Sequence, residues 1–346
     1  MRSLVSISAT GESADVTAHR IQKMPVVVLS AHNQCNCRCA MCDIWRIREP
    51  KQITPADLEA QLDSLGELGV CWVVFSGGEA QLNPELFTLA QMLRRKGIRI
   101  TLLTAGLLLE FQAQEITGVI DDVIVSLDGP PQVHNQIRRV ANAFEQMAAG
   151  VRAIRNFRPD MQVSARCTVQ RANHAHLFAT VEAAKEIGLN SISFLAADVT
   201  SSAFNREQGW PAKRQETIAL SAEEVEVLSR EVERLHPKHA SGFVVESPTK
   251  LRRIVDHFRA HLRHAEHVAP ICNAPWVSAV IEATGDVRPC FFHPAFGNIH
   301  DKPLHEVVNS PAALQFRANL DVATNPTCRQ CVCSLHIQRN ERTAQA

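Results

Sequence analysis

Cys35-Asn36-Cys37-Arg38-Cys39-Ala40-Met41-Cys42 sets four cysteines within eight residues, soon after the apolar run Pro25–Leu29. Without Cys37 the loop reads C-x3-C-x2-C through Cys35, Cys39 and Cys42. Thiolates are soft donors, and a crowd of them favours iron–sulfur clusters or zinc over hard cations. Three thiolates at this spacing can hold three irons of a cubane [4Fe–4S] cluster and leave the fourth iron open to a ligand. Taken alone, the same loop also suits a zinc knuckle.

Pro25–Leu29 is the first of six short apolar runs, followed by Cys71–Phe75, Ile98–Leu103, Val123–Leu127, Gln162–Val169 and Ser191–Leu195. Each is rich in Val, Ile or Leu, as parallel strands buried on both faces are. Helical patterns lie between them. Thr54 reads as an N-cap with Pro55 in the first turn, and Asn83-Pro84-Glu85 opens a second helix in the same way. Further helices are predicted near 142–157 and 174–187. This alternation predicts an α/β fold with a parallel sheet, either a partial barrel or doubly wound. Both collect chemistry at the C-terminal ends of the strands. Residues 201–270 read as a helical connector, with helices over Ala222–Leu235 and Lys250–His267. From Trp276 the pattern alternates through Val277–Ile281, turns at Thr284-Gly285-Asp286 and resumes at Val287, which predicts a β-hairpin.

The 346 residues balance 36 Lys+Arg against 36 Asp+Glu, which argues against a general nucleic-acid or membrane-surface binder. Apolar stretches such as Thr101–Leu109 are too short to span a bilayer. Residues 1–24 are polar and lack the apolar centre of a signal peptide, so a cytoplasmic location is the expectation. Eleven cysteines fall mainly into two groups, four at 35–42 and five at 272, 290, 328, 331 and 333. In a reducing compartment such clustering reads as metal binding. Cys71 and Cys167 stand alone in predicted strands and are expected to be buried small hydrophobes.

Three motifs sit at predicted strand ends. Ser76-Gly77-Gly78-Glu79 offers backbone that a ligand can approach closely, and a carboxylate for an ammonium group. Ser126-Leu127-Asp128-Gly129-Pro130 alternates a hydroxyl and a carboxylate with apolar residues, which suits a ribose diol. His134 to Arg138 follows, and Arg138 can fork onto a carboxylate. Each alone also reads as an ordinary turn or a surface residue.

Together these residues resemble the radical S-adenosylmethionine (SAM) enzymes over roughly residues 25–200. The resemblance implies a partial (β/α)6 TIM-like barrel. It implies a [4Fe–4S] cluster on Cys35, Cys39 and Cys42, with SAM chelating the open iron. It further implies SAM contacts from Met41, Gly77, Gly78, Glu79, Ser126, Asp128 and Arg138, and hydrogen abstraction by a 5′-deoxyadenosyl radical. Two departures stand out. Met41 occupies a position that is usually aromatic and packs on adenine. Thr104-Ala105-Gly106 stands where Thr-Asn-Gly is frequent. Cys37 lies outside the motif and is expected to face away from the cluster.

In the C-terminal group, Cys272-x12-Gly285-x4-Cys290 followed by Cys328-Arg-Gln-Cys331-Val-Cys333 gives four thiolates, which equally suit structural zinc. Beside the N-terminal half, the pattern resembles the Twitch or SPASM auxiliary-cluster domain. That implies a second [4Fe–4S] cluster on Cys272, Cys290, Cys328 and Cys331, with Cys333 left over as a spare ligand, a hydrogen-atom donor or a bystander. The expected organisation is an N-terminal extension (1–24), the barrel (25–200), the connector (201–270) and an auxiliary β-hairpin domain (271–346).

The expected activity is radical SAM oxidation or epimerisation of a small molecule such as a sugar, cyclitol or cofactor precursor. The basis is that the cluster loop begins too early for a leader-peptide domain to precede it. A peptide substrate is the alternative within the family, and a zinc-binding scaffold is the alternative outside it. A flavodoxin or ferredoxin is the expected electron donor. Arg166 and Asp198 are possible substrate contacts by position, and each equally suits a structural ion pair. His257, His261 and His264 share a helix face with several arginines and read as a solvated basic surface.

Overall fold

The computed structural model describes residues 19–206 and 208–338, and only the backbone of 236–240. The expected N-terminal extension lies outside the described residues except for 19–24. Six strands run parallel in sequence order: β1 (Val26–His32), β2 (Trp72–Gly77), β3 (Arg99–Thr104), β4 (Asp122–Ser126), β5 (Gln162–Val169) and β6 (Ile192–Ala196). Helices connect them, so the sheet curves as the open part of a barrel. Three more strands, β7 (Ser278–Ile281), β8 (Asp286–Arg288) and β9 (Gly297–Asn298), continue the same sheet beyond β1. β7 pairs in parallel with β1 from Val26↔Ser278 to Leu29↔Ile281, and β8 and β9 return antiparallel.

The strands alternate cleanly. Val27, Leu29, Val73, Phe75, Ile100, Leu102, Val123, Val125, Val163, Ala165, Ile192 and Phe194 face the helices and form the main core. The opposite residues line the barrel interior, because successive side chains point to opposite faces of a sheet. Pairing registers align Ser30 with Ser76, and Ser126 with Arg166 and then Ser193. The interior near the strand ends is therefore edged with hydroxyls, the Arg166 guanidinium and, beside Ser30, the Glu282–Arg288 pair.

Local signals act largely as the sequence indicates. Thr54 Oγ1 accepts from the Asp57 N–H at 3.2 Å, and Asp57 Oδ2 accepts from the Thr54 N–H at 2.9 Å. This reciprocal cap stabilises the short helix Pro55–Glu59 by about 1 kcal/mol. Asn83 behaves differently from Thr54. Its Nδ2 donates to the carbonyls of Ala31 and Ile53, both at 2.9 Å, and the helix starts only at Leu86. Asn83 is thus a buried strap between β1 and its neighbours.

Two expectations need correction. Cys167 is buried, but Cys71 precedes β2 and is exposed. The helix Pro248–His261 is not uniformly solvated. His257 Nε2 is sealed from solvent, Arg253 turns inward, and the buried face carries Leu251, Ile254, Val255 and Phe258.

Candidate functional site

The cysteine loop leaves the C-terminal end of β1. Its Arg38 and Ala40 N–H groups donate to the carbonyls of Arg138 (3.1 Å) and Ile137 (3.0 Å), at the end of the helix Pro131–Arg138. Cys37 and Cys39 are buried in this stretch, and the Cys37 N–H donates to Cys35 Sγ at 3.4 Å. This corrects the expectation for Cys37. It is 1% exposed and sits among the thiols it was expected to avoid. Hydrogen bonding to Cys35 and Cys39, reinforced by burial, keeps its proton on by raising its pKa. Cys39 is pushed the other way, to about 6, chiefly by the hydrogen bond from Cys37. Burial opposes that shift, and the charge of Arg138 assists it. Burial pushes the Cys42 thiol up to about 12. Ala105, Leu107, Ala143, Met41 and Val140 enclose the loop in an apolar cluster.

The two glycines of Gly77-Gly78 serve close packing against this loop. A Cβ on Gly77 would stand 2.3 Å from the His32 carbonyl oxygen, and one on Gly78 2.2 Å from that of Gln34. Gly78 N–H bonds to His32 O at 2.9 Å, and Glu79 N–H to Gln34 O at 2.8 Å. The end of β2 is thereby laid against the start of the cysteine loop. Glu79 itself is buried, and its carboxylate accepts from the N–H of Ala105 at 2.7 Å and of Gln81 at 3.3 Å. Burial raises its pKa, and these hydrogen bonds oppose the rise. Ala105 of the altered Thr-Ala-Gly motif thus contributes its backbone N–H to the site.

Asp128 and Arg138 find each other. Arg138 Nη2 is 2.6 Å from Asp128 Oδ2, and its Nη1 donates to Cys39 Sγ at 3.5 Å. Asp128 Oδ1 accepts from the Thr168 N–H at 2.8 Å, and His134 Nδ1 accepts from the Asp128 N–H at 3.1 Å. This buried set joins β4, β5 and the cysteine loop. Arg138 Nε and His134 Nε2 have no hydrogen-bond partner among the described residues. Ser126 and Met41 remain partly accessible.

A second support was not legible in the sequence. Trp210 lies between two guanidinium groups, Arg206 at 3.7 Å and Arg214 at 4.3 Å from its ring. Arg206 pairs with Asp198 at 2.9 Å and donates to the Met41 carbonyl at 2.6 Å. Trp210 Nε1 and Arg214 both donate to Asp43 at 2.6 Å. Burial alone would raise the Asp43 pKa, but the bonds from Trp210 and Arg214 and the nearby cations hold it below the usual carboxylate range. Asp198 is therefore the partner of a structural ion pair. The signals were Asp43 beside Cys42 and a tryptophan flanked by arginines, but only the fold joins them.

Arg166 has no carboxylate in direct contact among the described residues, but its charge acts on the partly buried Glu246, whose carboxylate accepts from the Phe194 N–H at 2.9 Å. Arg166 is exposed to the barrel interior, its Nε donates to Ser193 Oγ at 3.4 Å, and among the described residues no ion pair engages it.

The C-terminal thiols converge from three segments. Gly285, at φ +85°, turns the hairpin that returns Cys290 towards Cys272. Cys272 and Cys290 both act electrostatically on Cys328, Cys331 and Cys333. Arg253 donates to the Cys331 carbonyl at 2.6 Å and faces Cys331, Cys333 and Cys272. A cation beside grouped soft donors suits a thiolate-bound cluster, as Arg138 beside Cys39 does in the N-terminal group.

The chain matches the family described as the radical SAM superfamily over residues 29–184 and the SPASM iron–sulfur cluster-binding domain over 272–332. It is 24% identical to the Fe-coproporphyrin III synthase of Methanosarcina barkeri, across 92% of this chain and 84% of that protein. It is 27% identical to the PqqA peptide cyclase of Gluconobacter oxydans, across 86% and 80%. In fold it is similar to SuiB of Streptococcus suis bound to SAM, with a TM-score of 0.66 at 13% identity, covering 92% of this chain and 75% of that one. The radical SAM domain binds SAM and a [4Fe–4S] cluster, and the SPASM domain binds further iron–sulfur clusters. Among the described residues no helix is long and apolar enough to cross a membrane. With both domains matched on a parallel α/β sheet that gathers soft thiols at its strand ends, the chain belongs to the radical SAM superfamily and is an enzyme of its SPASM-bearing branch.

Proposed function

We propose that the enzyme oxidises a carboxylate-bearing cofactor precursor inside the barrel, using SAM and a cluster held by Cys35, Cys39 and Cys42. When bound and reduced, that cluster supplies the electron that cleaves SAM to methionine and a 5′-deoxyadenosyl radical, which takes a hydrogen atom from the substrate. Gly77, Gly78, Ser126 and Met41 would border SAM. Glu79 and the Asp128–Arg138 pair hold the strand ends that frame it, and the apolar wall of Ala105, Leu107 and Ala143 keeps water from the radical. A cluster held by the C-terminal thiols would supply an acceptor for the second electron of a two-electron oxidation, with the proton passing to water. A flavodoxin or ferredoxin supplies the initiating electron, and a reducing cytoplasm keeps the eleven free thiols available.

Arg166 carries the choice of substrate. Among the described residues it has no carboxylate within ion-pair distance, although its charge acts on the partly buried Glu246, and an exposed guanidinium beside a strand end suits a substrate carboxylate. This moves the reading from sugars and cyclitols towards acidic molecules such as the propionate-bearing tetrapyrrole that the M. barkeri relative is named for. A peptide with an acidic side chain is the second reading, favoured by the likeness to PqqA peptide cyclase across 86% of the chain.

The test is anaerobic reconstitution followed by 5′-deoxyadenosine release under dithionite. Coproporphyrin-type acids are to be compared with their esters and with acidic peptides. Stimulation by the free acid but not the ester, lost in Arg166→Gln and partly kept in Arg166→Lys, supports the proposal. Equal stimulation by acid and ester removes the carboxylate requirement. Zinc occupancy with no SAM cleavage overturns the cofactor assignment.

A further inference from the structure

Gln170 is the first residue after β5 and continues its interior face. Val163, Ala165, Cys167 and Val169 belong to the core under the helices, so Ser164, Arg166, Thr168 and then Gln170 turn the other way, into the barrel. The Gln170 residue is 1% exposed, yet neither its Nε2 nor its Oε1 has a hydrogen-bond partner among the described residues. No other side chain among those residues leaves two sealed polar atoms unpaired. A buried amide is normally paired, because an unpaired one has given up water for nothing.

The backbone around Gln170 is pinned on three sides. Its N–H donates to Asn173 Oδ1 at 2.8 Å, and Asn173 Nδ2 donates on to the Asp128 carbonyl at 2.9 Å. The Val169 carbonyl accepts from the Ala197 N–H, and the Arg171 N–H donates to the Ile218 carbonyl, both at 2.8 Å. Ala197 and Ile218 share an apolar cluster with Val199, Trp210 and Ala219, and Ala40 and Met41 of the cysteine loop pack against it. Gln170 therefore stands between the Asp128–Arg138 pair, which reaches Cys39, and the apolar wall that carries Met41.

A primary amide offers a donor and an acceptor side by side. Its complement is a planar group that offers an acceptor and a donor at the same spacing. Adenine does so through its 6-amino group and the neighbouring ring nitrogen, and glutamine pairs with it in this bidentate way where proteins read nucleic acids. We propose that Gln170 reads the adenine of SAM, its Oε1 accepting from the 6-amino group and its Nε2 donating to the ring nitrogen, with Met41 on the apolar side of the base. The proposal rests on the SAM site and is independent of the substrate. It makes Gln170 a side-chain selector for the base of the cofactor.

The test measures binding without turnover. The chain is reconstituted anaerobically and left unreduced, and equilibrium dialysis compares SAM with its analogue lacking the 6-amino group. The unsubstituted chain should bind SAM at least about tenfold more tightly than the analogue, the lower end of what a bidentate base contact discriminates. Gln170→Met, close in volume and free of polar groups that need a partner, should bind the two compounds equally. Its urea midpoint before reconstitution should be no lower than that of the unsubstituted chain, because it removes an unpaired buried amide. Gln170→Leu is a second variant with the same expectation. Equal binding of SAM and the analogue by the unsubstituted chain, which needs no variant, overturns the proposal. A lowered midpoint with the preference for SAM retained marks Gln170 as scaffold and overturns it too. If the unsubstituted chain binds neither compound, the SAM site itself fails, and the two failures are thereby distinguished.

Discussion

The N-terminal thiols come from one eight-residue loop, whereas the C-terminal thiols are gathered from residues 272, 290 and 328–333. The first group needs only a strand end to project it, and its order comes from the protein packed around it. Arg138, Arg206, Trp210 and the glycines of β2 all press on a short piece of chain. The second group is made by the fold itself. A hairpin, a return segment and the bonds from Asn273 to Leu335 and Ile337 must form before its cysteines meet. Spacing in the sequence is therefore a strong guide to the first site and a weak guide to the second.

The largest expected effect separates the two groups by activity. Cys39→Ala removes an expected ligand of the SAM-binding cluster and should lower 5′-deoxyadenosine release at least about 1,000-fold, some 4 kcal/mol of barrier. Measurable cleavage above a tenth of the unsubstituted rate would remove Cys39 from the site. Next, Arg138→Gln strands the buried Asp128 carboxylate and should cost about 3–5 kcal/mol of stability by urea titration. A loss below about 1 kcal/mol would mean that the loop does not depend on this pair.

Cys290→Ala tests the opposite end. Substrate turnover should fall about 100-fold, while SAM cleavage without substrate changes less than a few-fold, because the N-terminal loop is untouched. Parallel loss of both would show that the two sites are not separable. Asn273→Ala should cost roughly 2 kcal/mol, from two side-chain bonds to Ile337 worth about 1 kcal/mol each. Its iron loss should be confined to the auxiliary site, read in a chain carrying Cys35→Ala, Cys39→Ala and Cys42→Ala.

The smallest effect is a pH dependence under the connector. His257 is held neutral by burial, with its pKa lowered to about 3 and His267, His261 and Arg253 adding to the shift. The unfolded chain binds this proton near pH 6.5. Stability from His257 is thus complete above that value and falls by about 1.4 kcal/mol per pH unit as pH drops towards 3. His257→Asn should flatten that slope between pH 6.5 and 5, measured from urea midpoints. An unchanged slope would place the proton elsewhere.

The six strands and the hairpin were legible because β-rich runs, turn residues and caps act locally. The motifs at 35–42, 77–79 and 126–138 were legible as types of residue but not as contacts. Glu79, Asp128 and Arg138 were read as groups facing a ligand, yet in the fold they bond chiefly to Ala105 N–H, to Thr168 N–H and to each other. Buried charges find the nearest partner the fold supplies, and no spacing rule encodes which one. Cys37 was misplaced for a similar reason. The turn of the loop depends on carbonyls of residues 137 and 138, a hundred residues away. The Arg206–Trp210–Arg214 stack depends in the same way on Asp43 and Asp198.

The ladder between β1 and β7 fixes one more property. β1 ends in the SAM-side cysteines, and its flank carries the hairpin that leads to the auxiliary cysteines. Both sites are therefore surveyed from one strand, as two marks on a single ruler. The register of that ladder fixes how the two segments start relative to each other, so a slip of one residue would carry every side chain of β7 to the opposite face.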